Sequence, residues 1–153
     1  DDARGDPTAE PPLFIPVPLH RWRIWSRGFN QSAEVAGHLA RATGWPLLVD
    51  GLHRHKRTPP LRGLGRRDRA KTVRGAFTVR DSARSQLSGR RILLVDDVFT
   101  TGATAAACSR ALLRAGASSV EVVAFARVID RPDPADNLLP MIDSRVLPPN
   151  IAL

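Results

Sequence analysis

The chain has 153 residues, 42% of them hydrophobic and 25% charged, with 23 Lys and Arg against 15 Asp and Glu for a net charge of +8. That is the size and balance of one globular domain, which excludes a fibre and wholesale disorder, and the excess of cations favours anionic partners. No run approaches the roughly 18 apolar residues of a spanning helix, and the acidic, Pro-rich start DDARGDPTAEPP is unlike a signal peptide.

Arg carries nearly all of the positive charge, since Lys56 and Lys71 are the only lysines. Cys108 is the only cysteine, so neither an intrachain disulfide nor a multi-thiolate zinc site can form. A cytoplasmic setting is expected from this. The first residue is not Met, which suggests a processed or excised chain with residues upstream.

In chain order, residues 1–12 read as a flexible tail and residues 13–153 as a single domain. Residues 13–17 form a short apolar run between prolines, as a buried strand does. A basic stretch follows, and residues 30–43 place Val35, Ala36, Leu39 and Ala40 on one helical face before Gly44. Residues 47–49 are a second strand candidate, giving a parallel βαβ start. Residues 53–74 hold nine Lys or Arg and one acid and read as a mobile basic loop. Residues 75–79 suit a short strand and 80–89 a polar connector. The strongest strand signal is at 92–95, followed by a helix at 104–115 and a last strand at 120–128.

The informative stretch is ILLVDDVFTTGAT, residues 92–104: a buried strand, two acids at its carboxyl end, a Thr/Gly loop and a helix. Loop amides, including that of Ala103, and the hydroxyls of Thr100, Thr101 and Thr104 at a helix N-terminus can wrap a phosphate, and Gly102 admits close backbone approach. Asp96 and Asp97 repel a phosphate and suit neighbouring hydroxyls, or Mg²⁺ through water. A sugar phosphate meets both demands. A Walker B acid would need a P-loop ending in Gly-Lys-Ser/Thr, which the chain lacks. The competing reading is a generic strand end whose acids cap the helix, for which this much polar chemistry is unnecessary.

VDDVFTTGAT resembles the phosphoribosyl pyrophosphate signature of type I phosphoribosyltransferases. FIPVPLHRWRIWSRGFNQSAEVAGHLA and KTVRGAF resemble the ComF family, competence-associated phosphoribosyltransferase-like proteins, so the likeness covers roughly residues 13 to 128. The resemblance implies an α/β fold, a parallel sheet flanked by helices. It also implies that Asp96 and Asp97 hold the ribose 2′ and 3′ hydroxyls while Thr100, Thr101, Gly102, Ala103 and Thr104 hold the 5′-phosphate. It places a pyrophosphate loop after the first strand, at Leu19, His20 and Arg21. The residues agree, because Arg21, Arg23 and Arg27 lie near the carboxyl end of a parallel strand, where ligands of open α/β sheets bind. Two departures stand out. The cysteine-rich zinc-binding segment that often opens such proteins is absent, and Thr100 stands where purine-specific relatives carry an Asp, which disfavours a 6-oxopurine acceptor.

Two functions follow as expectations. The first is an enzyme that binds phosphoribosyl pyrophosphate with Mg²⁺, held through the substrate rather than by direct protein ligands. It would transfer the phosphoribosyl group to an unidentified acceptor, with Asp96 and Asp97 in register with ribose and metal. Arg21, Arg23 and the basic loop, with Lys56, Arg57 and Lys71, would neutralise and cover the leaving pyrophosphate. The alternative is a non-catalytic module in competence-related DNA uptake, contacting single-stranded DNA or competence proteins through the Arg-rich segment. Membrane contact is not expected, and self-association is left open.

Overall fold

The computed structural model describes residues 10–19, 28–56, 63–99 and 101–127. Its centre is β4, Arg91–Phe99, whose apolar residues from Ile92 to Val95 are all buried, as in a strand covered on both faces. β4 pairs in parallel with β1, Leu13–Pro16, on one side and with β5, Ser119–Arg127, on the other, giving the order β1-β4-β5. Leu13 lies opposite Ile92, and Ile92 opposite Val120.

Alternation along these strands divides the core. Leu13, Ile15, Ile92 and Leu94 point to one face, where α4, Ala103–Arg114, covers them with Ala105, Cys108, Ala111 and Leu112. Phe14, Leu93 and Val95 point to the other, where α1, Gln31–Thr43, supplies Val35, Ala36, Leu39 and Ala40. The expected parallel sheet flanked by helices is thus observed. α1 is bounded as its sequence suggests, capped by the Asn30 side chain and closed by Gly44 at φ 74°.

The strand expected at 47–49 shrinks to one bridge, Leu47 beside Phe14. Phe14 donates to the carbonyl of Pro46 and accepts from Leu48 N–H, and a turn at Val49 and Asp50 ends the pairing. The segment read as one basic loop takes in the last two residues of β2, Leu52–Arg54, and all of α2, Arg66–Val73. β2 pairs antiparallel with β3, Phe77–Val79, in a separate two-stranded sheet. The connector at 80–89 holds α3, Asp81–Leu87, which buries Ala83 and Leu87 one turn apart. These elements were hidden by their own surface: α2 buries only Val73 of its eight residues, and the exposed charges of such short pieces swamp the periodic signal. The tail expected over 1–12 is anchored in its described part, where Arg90 reaches Glu10 at 3.2 Å and the carbonyl of Pro11 at 3.0 Å. Among the described residues no helix is long and apolar enough to cross a membrane.

Candidate functional site

β4 is longer than its sequence signal, because the two acids continue the strand instead of following it. Asp96 keeps the parity of Ile92 and Leu94 and turns toward the α4 face, while Asp97 turns toward α1. The pair therefore straddles the end of the sheet. Asp96 is buried, and that burial is the main reason its carboxyl is pushed up to about 7. A hydrogen bond from the protonated Asp96 carboxyl to Asp97, and charge repulsion by Asp97, add to the rise, against the backbone amides of Asp97 and Val98.

Asp97 is held by α1. Its backbone N–H donates to Ser32 Oγ at 3.1 Å, and the Ser32 hydroxyl lies 3.5 Å from Asp97 Oδ1. Asn30 Oδ1 accepts from the amides of Ser32 and Ala33 while Nδ2 donates to the carbonyl of Val17 at 3.1 Å, so the first turn of α1 ties down the ends of both β1 and β4. Beside Asp96, on the other face, lie the fully buried Cys108 and the buried Arg54, whose guanidinium sits 5.5 Å from the centre of the Phe77 ring. Burial, and then the Asp96 charge, push the Cys108 thiol up, so it is an inert core residue and no nucleophile.

After Phe99 the chain reaches Gly102 at φ 77°, the residue before α4. Among the described residues no side chain caps this helix; Ala106 N–H bonds to the Gly102 carbonyl, and helix N-terminal amides of this kind suit an external acceptor. The close approach that makes glycine necessary here comes from within the chain: a Cβ at Gly102 would lie 2.7 Å from the Phe99 ring. Thr101, Gly102, Ala103 and Thr104 are all partly exposed around this helix start.

Of the residues singled out in the sequence, Asp96, Asp97, Thr101, Gly102, Ala103 and Thr104 are thus brought to one end of the sheet. Leu19, partly buried, follows the end of β1. Lys56 is exposed after β2 and Lys71 is exposed on α2, which packs on α4. His20, Arg21, Arg23, Arg27, Arg57 and Thr100 lie outside the described residues. Sequence reasoning missed Ser32, Phe99 and Arg54. A serine one residue into a helix reads as solvent-facing, and only its partner 65 positions away gives it a task; Arg54 could have been read from the two-residue spacing to Leu52, which puts both on one strand face.

The residues present fit a divalent cation shared with substrate. Among the described residues no three His, Cys, Asp or Glu side chains cluster, which leaves one adjacent carboxylate pair. Mg²⁺ is commonly held by one or two carboxylates plus substrate phosphates, and the charge repulsion by Asp97, which adds to the effect of burial in raising Asp96, is what a cation relieves.

Residues 30–150 match the family model of the phosphoribosyl transferase domain. The chain is 38% identical over 117 residues to competence protein F of Haemophilus influenzae, covering 76% of this chain and 51% of that protein. It is 34% identical over 119 residues to the DNA utilization protein YhgH of Escherichia coli strain K12, covering 78% and 51%. It thus spans about half the length of these curated relatives. Among solved structures, the glutamine phosphoribosylpyrophosphate amidotransferase of B. subtilis, complexed with ADP and GMP, superposes with a TM-score of 0.53 at 25% identity over 82% of this chain and 24% of that one. With the strand, acid pair, glycine turn and helix in this order, the chain belongs to the phosphoribosyl transferase domain family, among its ComF-type members.

Proposed function

We propose that the chain binds phosphoribosyl pyrophosphate together with Mg²⁺ and transfers the phosphoribosyl group to an acceptor, releasing pyrophosphate. The observation that carries this reading is the carboxylate pair Asp96 and Asp97 set one short turn from the N-terminus of α4. Acids that suit hydroxyls and amides that suit a phosphate are the two kinds of group a ribose 5-phosphate needs.

In this reading Asp97, oriented by Ser32, accepts from one ribose hydroxyl. Asp96, near half-protonation at neutral pH, accepts from or donates to the other. The amides of the first turn of α4, with the hydroxyls of Thr100, Thr101 and Thr104, take the 5′-phosphate. Leu19, His20, Arg21, Arg23 and Arg27 receive the pyrophosphate, and Lys56, Arg57 and Lys71 supply further positive charge. When bound, Mg²⁺ supplies charge neutralisation on the pyrophosphate oxygens. The C1–O bond breaks with its electron pair leaving on pyrophosphate, the lone pair of the acceptor bonds to C1, and the acceptor's proton passes to solvent. The protein contributes position and electrostatics, with no covalent intermediate of its own.

Calorimetry with phosphoribosyl pyrophosphate, with and without Mg²⁺, tests the reading. Binding strengthened by Mg²⁺ and abolished in Asp96→Asn/Asp97→Asn is expected, and unchanged affinity in the folded double variant would sink it. The names of the relatives favour a second reading, a non-catalytic module contacting single-stranded DNA. Its mark would be salt-dependent binding of an oligonucleotide that phosphoribosyl pyrophosphate does not displace.

A further inference from the structure

β5 is a long sheet edge with little to protect it. Among the described residues its backbone pairs with β4 alone, at one constant register from Arg91 opposite Ser119 to Phe99 opposite Arg127. No bulge, proline or lysine interrupts Ser119–Arg127, and these are the devices that commonly keep an edge from pairing with another chain. Its apolar residues are also less covered than those of β4. Ile92 to Val95 are buried, whereas Val120, Val122, Val123 and Ala124 are partly exposed, and Phe125, at 82%, is the most exposed large apolar side chain among the described residues. Val123 packs with Phe14, Leu93 and Val95 under α1, and Phe125, two residues on, continues the same face into the open.

The strand is complementary to itself. An antiparallel pair about a two-fold axis perpendicular to the sheet keeps each face on its own side, so opposing residues share the parity of their numbers. With Ala124 on the axis, Glu121 falls opposite Arg127 of the second copy, Val122 opposite its Ala126 and Val123 opposite its Phe125. Centring the pair on Val122 or Val123 instead sets Glu121 against Val123 or Phe125, and centring it on Phe125 runs Glu121 past the end of the strand. One register alone therefore sets acid against base at both ends, with aromatic–β-branched pairs inside them and two small Ala124 residues at the axis. Glu121 lies 3.4 Å from Arg91 of its own chain, both half-exposed, so it stands at the surface a second copy would reach. We infer that the chain forms a two-fold dimer through antiparallel pairing of β5 with β5 of a second copy, joining two sheets into one and covering Phe125 with Val123 of that copy. Such a contact uses the same edge in both copies and stops at two. The antiparallel arrangement points the two sheet ends that carry Asp96 and Asp97 in opposite directions, so the inference stands apart from the donor-binding reading.

Sedimentation velocity of the full chain over a concentration series tests this. The unaltered protein is expected to pass from monomer to dimer and no further. Glu121→Arg and Arg127→Glu each set like charges opposite one another at both ends and raise the dissociation constant on the order of tenfold or more. The double variant Glu121→Arg/Arg127→Glu restores the dimer, and so does mixing the two single variants, which then face opposite charges at both ends as a heterodimer. Glu121→Arg also removes the contact with Arg91, in the single and the double variant alike, so recovery in the double variant isolates the pairing between copies. Phe125→Ser, an exposed position that leaves all charges in place, weakens the dimer as well. A chain that stays monomeric at every concentration, a dimer that both single charge variants leave unchanged, or assembly that continues past two overturns the inference. A monomer whose β5 amides all exchange slowly would assign the edge to a segment of the same chain and overturn it too.

Discussion

The backbone N–H of Asp97 donates to the hydroxyl of Ser32 at 3.1 Å, joining the end of the central strand to the first turn of α1. β1 ends at Pro16, and its last backbone bond to β4 runs from Val17 N–H to the carbonyl of Val95. Ser32 takes the place of the missing strand at the next amide of β4 on that side. The acid most exposed to a ligand is thereby held by a helix rather than by the sheet.

Ser32→Ala should leave that partly buried amide without its acceptor, destabilising the fold by about 1 to 3 kcal/mol. Urea unfolding of the two proteins at one pH measures this. Affinity for phosphoribosyl pyrophosphate should fall as well, since Asp97 loses its orienting hydroxyl. Full stability in the variant would mean that water replaces the hydroxyl without loss.

Asp96 sets a pH dependence of definite sign. Its carboxyl is raised from 3.8 to about 7 in the folded protein, chiefly by burial, so the native state holds the proton more tightly than the unfolded one. Stability from this group is complete below about pH 4, declines as pH rises, and is gone above about pH 7. Asp96→Asn removes the decline and should make the protein more stable at pH 8 by up to about 3 kcal/mol while abolishing donor binding. Urea midpoints at pH 5 and pH 8 check it; the gap between the two proteins must widen at the higher pH.

At Gly102, substitution by Ala should cost about 1 to 2 kcal/mol from the left-handed backbone alone, and more from the contact with Phe99. The double variant Gly102→Ala/Phe99→Ala relieves the contact and keeps the backbone penalty. Ribose 5-phosphate binding should be lost in the single variant and only partly regained in the double one. Wild-type binding by Gly102→Ala would show that this turn does not hold the phosphate.

On α2 two cations stand one turn apart, with Arg67 and Lys71 both exposed at i, i+4 while Asp68 lies on another face. Like charges so placed repel until an anion arrives. Amide exchange of residues 63 to 74 should slow with phosphoribosyl pyrophosphate and Mg²⁺, and hardly with single-stranded DNA at physiological salt. Protection by DNA alone would instead favour the nucleic-acid module.

The central sheet and both covering helices were readable because their apolar residues repeat over long enough runs, as Ile92 to Val95 and Val35 to Ala40 do. The Asp96–Asp97 pair was readable for the same reason, as polar groups attached to an unmistakable strand. β2, α2 and α3 were not, since each is short and shows mostly charge to water. Neither was the division of the acids between two faces. That follows from β4 continuing past Asp97, and a strand's end is poorly marked when polar residues extend it.

The pairing of Leu13 with Ile92 makes the first strand wait for the middle of the chain. Among the described residues every strand neighbour of β1 other than the single bridge at Leu47 comes from β4, so none of those before Arg91 offers β1 a full strand partner. Folding must close this long loop before either core can form, which predicts a slow, topology-limited reaction with exposed apolar segments during synthesis. The end of the sheet that carries Asp96 and Asp97 is then assembled last, once α4 and β5 have followed β4 into place.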